Sequence, residues 1–146
     1  MRVWAVVVLV LFIANPAQAE CILRTLEHVM PDSSIAWVFS GRIREATRVA
    51  AGQIATIDVD RVWKGAVPAR VVVYQRGNAE LVDLQFQERY LVFAYIQSRA
   101  QRARFSVTDL EKTTYETDGC AIQVFSSDGA KLILGNATGG PPSQIP

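Results

Sequence analysis

Short segments in which apolar and polar residues alternate, separated by turn-forming residues, dominate this chain. The segment 35–43 carries Ile, Trp, Phe, Gly and Ile at every second position, and the segment 54–63 alternates in a similar way. A period of two residues is typical of β-strands that bury one face. The run "ERYLVFAYIQ" is apolar almost throughout, which predicts a strand buried on both faces.

The order of these segments predicts a mainly β fold. At least five strands are expected, including "RVVVYQ" and "RFSVTDL", with turns at "AAGQ", "AVPA" and "SRAQRA". Helical patterns occur only at the front, ending before Pro31, and at the back, where Ser127 caps and Gly135 closes a short helix. No alternation of strand and helix appears, so we predict an antiparallel sandwich or closed barrel.

The first 19 residues resemble a secretory signal peptide. Arg2 precedes an apolar run from Val3 to Ala14, and Ala17 and Ala19 occupy the small-residue positions of a cleavage site. The run is shorter than the roughly 20 apolar residues that span a bilayer. We therefore expect cleavage after Ala19, a secreted or periplasmic protein, and no transmembrane segment in the mature chain.

The two cysteines, Cys21 and Cys120, are expected to form one disulfide. An oxidising compartment favours pairing of two distant cysteines. Closing a loop of about 100 residues stabilises the fold by up to about 4–5 kcal/mol in the chain-entropy model. A metal site would need more ligands, and His28 is the only histidine. We interpret His28 as a packing or surface residue and predict no metal and no cofactor.

Several motifs occur in an order that resembles the netrin-like domain, in its bacterial form related to tissue inhibitors of metalloproteinases (TIMP-like). They are "VFSGRI", "VDRVWKG" and "ERYLVF", with Cys21 before them and Cys120 after them. The resemblance covers about residues 21–125. It implies a five-stranded antiparallel OB-type Greek-key barrel with short flanking helices. The structural motif residues that it singles out are Gly41, Trp63, Gly65 and Tyr90.

The resemblance also sets the expected domain boundaries. We assign residues 1–19 to the signal peptide, 20–135 to the TIMP/netrin-like OB-fold domain and 136–146 to a flexible C-terminal tail. Two features depart from the family pattern: Gln87 stands where a glycine is usual, and the loop before "ERYLVF" lacks the cysteine that such domains often carry.

The expected function is a non-enzymatic binding or interaction module outside the cytoplasm. The chain lacks hydrolase and phosphate-binding motifs, so we assign no catalytic residue. Animal inhibitors of this superfamily chelate the zinc of their target protease through an N-terminal cysteine. Glu20 would precede Cys21 after cleavage, which blocks that chemistry. A metalloprotease inhibitor that uses another edge of the barrel stays open as an alternative.

Charge patterns suggest a second alternative, binding of a polyanion. Arg99, Arg102 and Arg104 cluster at one predicted turn, which we interpret first as a solubilising turn. The alternative follows from OB barrels, which bind polymers with their loops. The net charge of +1 disfavours a general nucleic-acid binder. The expected partner is an extracytoplasmic protein or a surface polymer. Asp58 and Asp60 share a predicted strand face, which we interpret as a solvated outer face rather than a calcium or acid–base pair.

The segment "TIDVDRVWKG" leaves two interpretations of its tryptophan. An aromatic residue beside a lysine can form a stacking platform for a ligand. Strict alternation places Ile57, Val59 and Trp63 on one strand face. We therefore interpret Trp63 as a plug at the end of the barrel, with Lys64 and Gly65 beginning the next turn.

Overall fold

The computed structural model describes residues 24–49, 52–77, 82–96 and 115–144. The elements in chain order are α1 (Leu26–Val29), β1 (Ile35–Val49), β2 (Gly52–Lys64), β3 (Arg70–Arg76), β4 (Arg89–Tyr95), β5 (Tyr115–Asp118), β6 (Ile122–Val124) and α2 (Asp128–Leu134). The described part of the chain is therefore mainly β, as its period-two pattern predicts.

Five strands close into a barrel. The order is β1-β2-β3-β5-β4, and β4 pairs back with β1. The opposite edge of β4 pairs with β5 at its end and with β6 nearer its start. The β3–β5 pairing is parallel, so the barrel is mixed and the prediction of a purely antiparallel barrel is wrong. A parallel pair needs a long connection between its strands, and β4 lies within the connection from β3 to β5, so local alternation could not reveal this pairing.

Two apolar clusters share β4. Tyr90, Val92 and Ala94 join the cluster that fills the barrel, whereas Leu91 and Phe93 join a second cluster with Val29 of α1 and Ile133 of α2. All five residues from Tyr90 to Ala94 are buried. The prediction of a strand buried on both faces is confirmed. The two helices cover the outer face of β4, which would otherwise contact water.

Gly41 lies where β1 is sandwiched between two neighbours. It pairs with Val59 on β2 and with Tyr90 on β4, and the β1–β2 register shifts between Ser40 and Gly41. A Cβ atom at this position would lie 2.5 Å from the carbonyl oxygen of Asp58. The bulge or bend that the sequence predicts at Gly41 is present, and the close backbone approach explains why a glycine occupies it.

Residues 137–144 run alongside β2 instead of leaving the domain. Gly140 N donates to Val62 O at 2.7 Å, Val62 N donates to Gly140 O at 2.9 Å, and Ser143 N donates to Val67 O at 2.7 Å. We expected a flexible tail from residue 136, and this part of it is instead hydrogen-bonded to the barrel. The segment is rich in Gly and Pro and has no periodicity, so its partner strand could not be inferred from its sequence.

Several sequence predictions concern residues outside the described part. These are the signal peptide 1–19, Cys21, the strand 104–110 and the arginine cluster Arg99, Arg102 and Arg104. Because Cys21 is among them, the Cys21–Cys120 disulfide stays a prediction. Neither helix in the described ranges has the length and apolar character that crossing a bilayer requires.

Candidate functional site

Asp60 is an extra residue in β2. Its neighbours Val59 and Arg61 pair with successive residues of β1, Gly41 and Ser40, so Asp60 has no partner on β1. A β-bulge of this kind re-aims the side chains that follow it. Val59 is buried, whereas Asp60 and Arg61 are both exposed, so the alternation changes phase at this point.

Trp63 is a second extra residue, three positions further on. Val62 and Lys64 pair with Phe39 and Val38, which are successive in β1, and Trp63 has no β1 partner. Val62 packs against the barrel cluster, whereas Trp63 packs against the second cluster. The interpretation of Trp63 as a barrel plug is therefore wrong, because the bulge at Asp60 shifts the alternation by one residue and turns the Trp63 side chain to the outside of the barrel.

The indole of Trp63 is held from two sides. Its Nε1 donates to the carbonyl oxygen of Ala137 at 3.2 Å. A Cβ atom at Gly139 would lie 2.9 Å from the indole ring, so the C-terminal segment packs closely against it. Phe125 lies beside the indole with ring centroids 6.2 Å apart and planes inclined by 32°. The polar edge of the indole is thus satisfied within the protein.

Arg89 is anchored at the start of β4. Its Nε lies 2.7 Å from Asp60 Oδ2, and its Nη2 donates to Asp60 Oδ1 at 3.0 Å and to Ser40 Oγ at 3.1 Å. The guanidinium carbon lies 3.5 Å from the ring centroid of Phe125. No described residue accepts a hydrogen bond from Nη1. The guanidinium is therefore fixed in place with donors left over.

These side chains border a concave site that we call the Trp63–Arg89 pocket. Its volume is about 350 Å³, and its lining residues are Arg61, Trp63, Arg89, Phe125, Lys131, Leu134, Gly135, Ala137 and Thr138. Three of these side chains are cationic and none is a carboxylate. Arg61 makes no ion pair with any described residue, whereas Lys131 lies 3.2 Å from Asp128.

Lys64, next to Trp63, does not line the pocket. Its ammonium group donates to Asp32 O at 2.6 Å and to Val29 O at 3.0 Å, so it satisfies carbonyl groups where α1 ends. Gly65 follows with φ of +78°, and a Cβ atom there would lie 2.5 Å from Trp37 Cδ1. The prediction that a turn begins here is correct, but Lys64 also ties β2 to α1.

Tyr90, another residue of the quoted motifs, belongs to the core and not to the pocket. Its ring is buried in the barrel cluster. Its hydroxyl accepts a hydrogen bond from Gln85 N at 3.0 Å and donates to Asp83 O at 3.4 Å. Tyr90 therefore holds the loop that enters β4 and lies away from the pocket.

Asp58 and Asp60, which lie two residues apart, bind arginines rather than a metal. Asp58 lies 2.7 Å from Arg70 Nε and 3.5 Å from Arg44 Nη1. The hydrogen bond from Arg70 holds the pKa of Asp58 below its ordinary value of 3.8. Within the described ranges, no group of three or more His, Cys, Asp or Glu side chains is placed to hold a metal ion.

A second cavity, of about 400 Å³, borders the buried carboxylate of Glu116. Glu116 Oε1 lies 3.5 Å from Arg76 Nη1, and Oε2 has no hydrogen-bond partner within the described part of the chain. The neighbouring Asp118 accepts bonds from the backbone of Cys120 and Ala121. Asp118 therefore serves a turn, and Glu116 serves one ion pair through Oε1 while its Oε2 is left as an unused acceptor among the described residues.

A third cavity, of about 260 Å³, lies beside α1. Arg24, Asp32, Tyr95 and Cys120 are among its lining residues. Two hydrogen bonds from Ser34 hold the pKa of Asp32 below its ordinary value of 3.8. His28 is exposed on α1, and its Nδ1 lies 2.7 Å from Thr25 Oγ1, which agrees with the surface role expected for it.

Comparisons with models of known protein families and with curated proteins find no match. Function is therefore inferred from the geometry of the site. Sequence reasoning drew attention to Trp63 but did not connect it to Arg89, Phe125 or Lys131. Phe125 lies 36 residues from Arg89 in the sequence, and nothing in the local pattern around either residue indicates that they stack.

Proposed function

We propose that this chain is an exported, non-enzymatic binding module built on an OB-type barrel of the netrin/TIMP-like kind. Two observations support the family assignment. The barrel has five strands with short helices beside it. The quoted motifs fall on strands of this barrel: "VFSGRI" lies in β1, "VDRVWKG" spans the end of β2, and "ERYLVF" begins one residue before β4.

The observation that carries the binding function is the construction of the Trp63–Arg89 pocket. Arg89 is fixed by Asp60, Ser40 and Phe125, and its Nη1 is left without a partner among the described residues. A binding group that is already ordered loses little conformational entropy when a ligand arrives. Two bulges in one strand supply Asp60 and Trp63 to this site, and bulges commonly occur next to functional sites.

Export and the Cys21–Cys120 disulfide are part of the proposal. Both are tested by the intact mass of the protein recovered from the exported fraction, measured with and without a reducing agent. We expect a chain that starts at Glu20 and gains the mass of two hydrogen atoms on reduction. A start at Cys21 would instead support the inhibitor alternative, because it would free the amino group that zinc chelation needs.

The binding function is tested by a pull-down from the exported fraction with the wild-type chain, R61Q and R44Q. Arg61 lines the pocket, whereas Arg44 is also exposed but is paired with Asp58 and does not line the pocket. We expect a component that the wild type and R44Q retain and R61Q loses. If all three chains retain the same components, or none retains any, the pocket is not a binding site.

A further inference from the structure

The hydrogen-bond donors of the pocket call for an acidic ligand. Asp60 and Asp128 account for part of the charge on Arg89 and Lys131, whereas Arg61 has no acidic partner among the described residues. Arg89 Nη1 and the Arg61 guanidinium therefore offer free N–H groups in the same lining. Guanidinium groups bind carboxylates through parallel, charge-assisted hydrogen bonds.

The aromatic part of the lining favours a ligand that also has an apolar face. Ala137 O already accepts the hydrogen bond from Trp63 Nε1, so the indole can present apolar ring surface without an unsatisfied donor. The Arg89 guanidinium already covers one face of Phe125. Trp63 is half-buried against Gly139 and Phe125 and lines the pocket, so the uncovered part of its ring is the aromatic surface left to contact a ligand, with the cations in the same lining.

A sugar ring that carries a carboxylate combines these two properties. Its C–H groups form an apolar face that suits an indole, and its carboxylate projects from the ring edge. A volume of about 350 Å³ lies at the small end of ligand sites, which suits one ring better than an extended surface. An acidic peptide side chain has the carboxylate but lacks an apolar face of that size.

Nucleic acid fits the site less well. A single-stranded nucleic acid needs a basic track along its backbone and successive stacking rings. The pocket offers one partly exposed ring, and the chain as a whole has a net charge of only +1. An exported protein also meets acidic polysaccharides more readily than nucleic acid.

We propose that the Trp63–Arg89 pocket binds a uronic acid residue of an acidic polysaccharide. The carboxylate accepts hydrogen bonds from Arg61 and Arg89 Nη1, and the sugar ring lies against Trp63. This inference rests on the binding function proposed above and names its ligand class.

The test is a titration with a hexasaccharide of galacturonic acid, followed by calorimetry and by tryptophan fluorescence. The matched probe is the same hexasaccharide with its carboxyl groups reduced to alcohols. We expect binding of the acidic probe only, weakened about 10-fold in R61Q through the loss of a charge-assisted contact. R44Q should bind like the wild type, and W63F should lose the fluorescence change. Added salt should weaken binding.

A second variant separates a binding role of Arg89 from a folding role. R89K keeps the charge but loses the paired guanidinium donors. We expect R89K to bind the acidic probe at least about 5-fold more weakly, while circular dichroism shows a folded chain. R61Q tests recognition of the carboxylate independently of folding, because Arg61 is exposed and has no described partner to lose.

Four results would overturn the inference. Equal binding of the reduced hexasaccharide would mean that the carboxylate is not recognised. Tighter binding of a single-stranded oligonucleotide would assign the site to nucleic acid. Absence of binding to the acidic hexasaccharide, alongside a partner that R61Q loses in the pull-down, would refute the ligand class and leave the binding function standing. Absence of both would refute both.

Discussion

Lys64 illustrates how one side chain joins two parts of this protein. Its ammonium group binds two carbonyl oxygens where α1 ends, 32 and 35 residues away in the sequence. The sequence indicated a turn at Lys64, and this prediction was correct locally. The tertiary contact could not be predicted, since nothing in the segment "VWKG" specifies which carbonyl groups a lysine will meet.

The first prediction concerns this contact. K64M keeps much of the apolar stem but removes the charged donor from both carbonyl groups, which retain only their backbone donors, Asp32 N for Val29 O and Ile35 N for Asp32 O. Because hydrogen bonds from charged groups are stronger than neutral ones, we expect K64M to lower the free energy of unfolding by about 1–3 kcal/mol. Urea denaturation measures this change. K131M is the control, because the exposed Lys131 has only the Asp128 ion pair and should change stability by less than about 1 kcal/mol. Equal effects of the two substitutions would contradict the role of Lys64.

The second prediction concerns the pH dependence of stability through Asp58. Arg70 lowers its pKa in the folded state, so the folded protein favours the ionised carboxyl. The contribution to stability is therefore full above the unfolded-state value near 3.8 and is lost as the pH falls through the lower folded-state pKa. Because the pair is about half exposed, we expect D58N to cost less than about 1 kcal/mol at pH 7.

The measurement is urea denaturation of wild type and D58N between pH 7 and pH 2. The difference in unfolding free energy between them should shrink as the pH falls below about 4. E45Q serves as the control, since the exposed Glu45 makes no ion pair among the described residues. A D58N difference that stayed constant over this range would contradict the folded-state stabilisation of the ionised form.

At the scale of elements, the strands were predicted more reliably than the directions in which their side chains point. The back helix was predicted in detail: Ser127 Oγ accepts a hydrogen bond from Ala130 N at 3.1 Å, and Gly135 ends α2 with φ of +53°. Caps can be predicted because they depend on residues close in sequence. The two bulges of β2 depend on its pairing with β1, and the bulge at Asp60 reversed the predicted face of Trp63.

The third prediction concerns the packing of β1 at Gly41. Adding one methyl group in G41A forces a contact with the Asp58 backbone, and we expect a loss of about 1–3 kcal/mol in unfolding free energy. G140A is the matched control, because its nearest neighbour would be Val62 O at 3.8 Å. Thermal and urea unfolding of both variants measure the difference. A G41A protein as stable as G140A would show that β1 and β2 can separate to admit a side chain.

At the scale of the whole molecule, the C-terminal segment completes the pocket. Residues 137–144 pair with β2 and with the residues that follow it, and they supply the acceptor for the Trp63 indole. The sequence of this segment predicts a flexible tail instead. Its position depends on a surface that exists only after the barrel has closed.

The fourth prediction tests this segment with a chain that ends at Asn136. We expect the emission of Trp63 to shift to longer wavelength, because the indole loses Gly139 and the Ala137 carbonyl. The free energy of unfolding should fall by about 1–3 kcal/mol through the lost hydrogen bonds. A chain ending at Gln144 keeps every contact described here and is the control. Identical emission from the two chains would show that the segment does not cover Trp63.

The sequence by itself determined the class of this protein. Period-two alternation, turn residues and helix caps act over a few positions, and they predicted the mainly β fold, the doubly buried β4 and the back helix. Only the tertiary structure decided how the barrel closes and where its site lies. The parallel β3–β5 pairing, the bulges at Asp60 and Trp63 and the stacking of Arg89 on Phe125 all join residues that are distant in sequence. Such contacts are selected by the packing of the whole domain, so no local pattern specifies them.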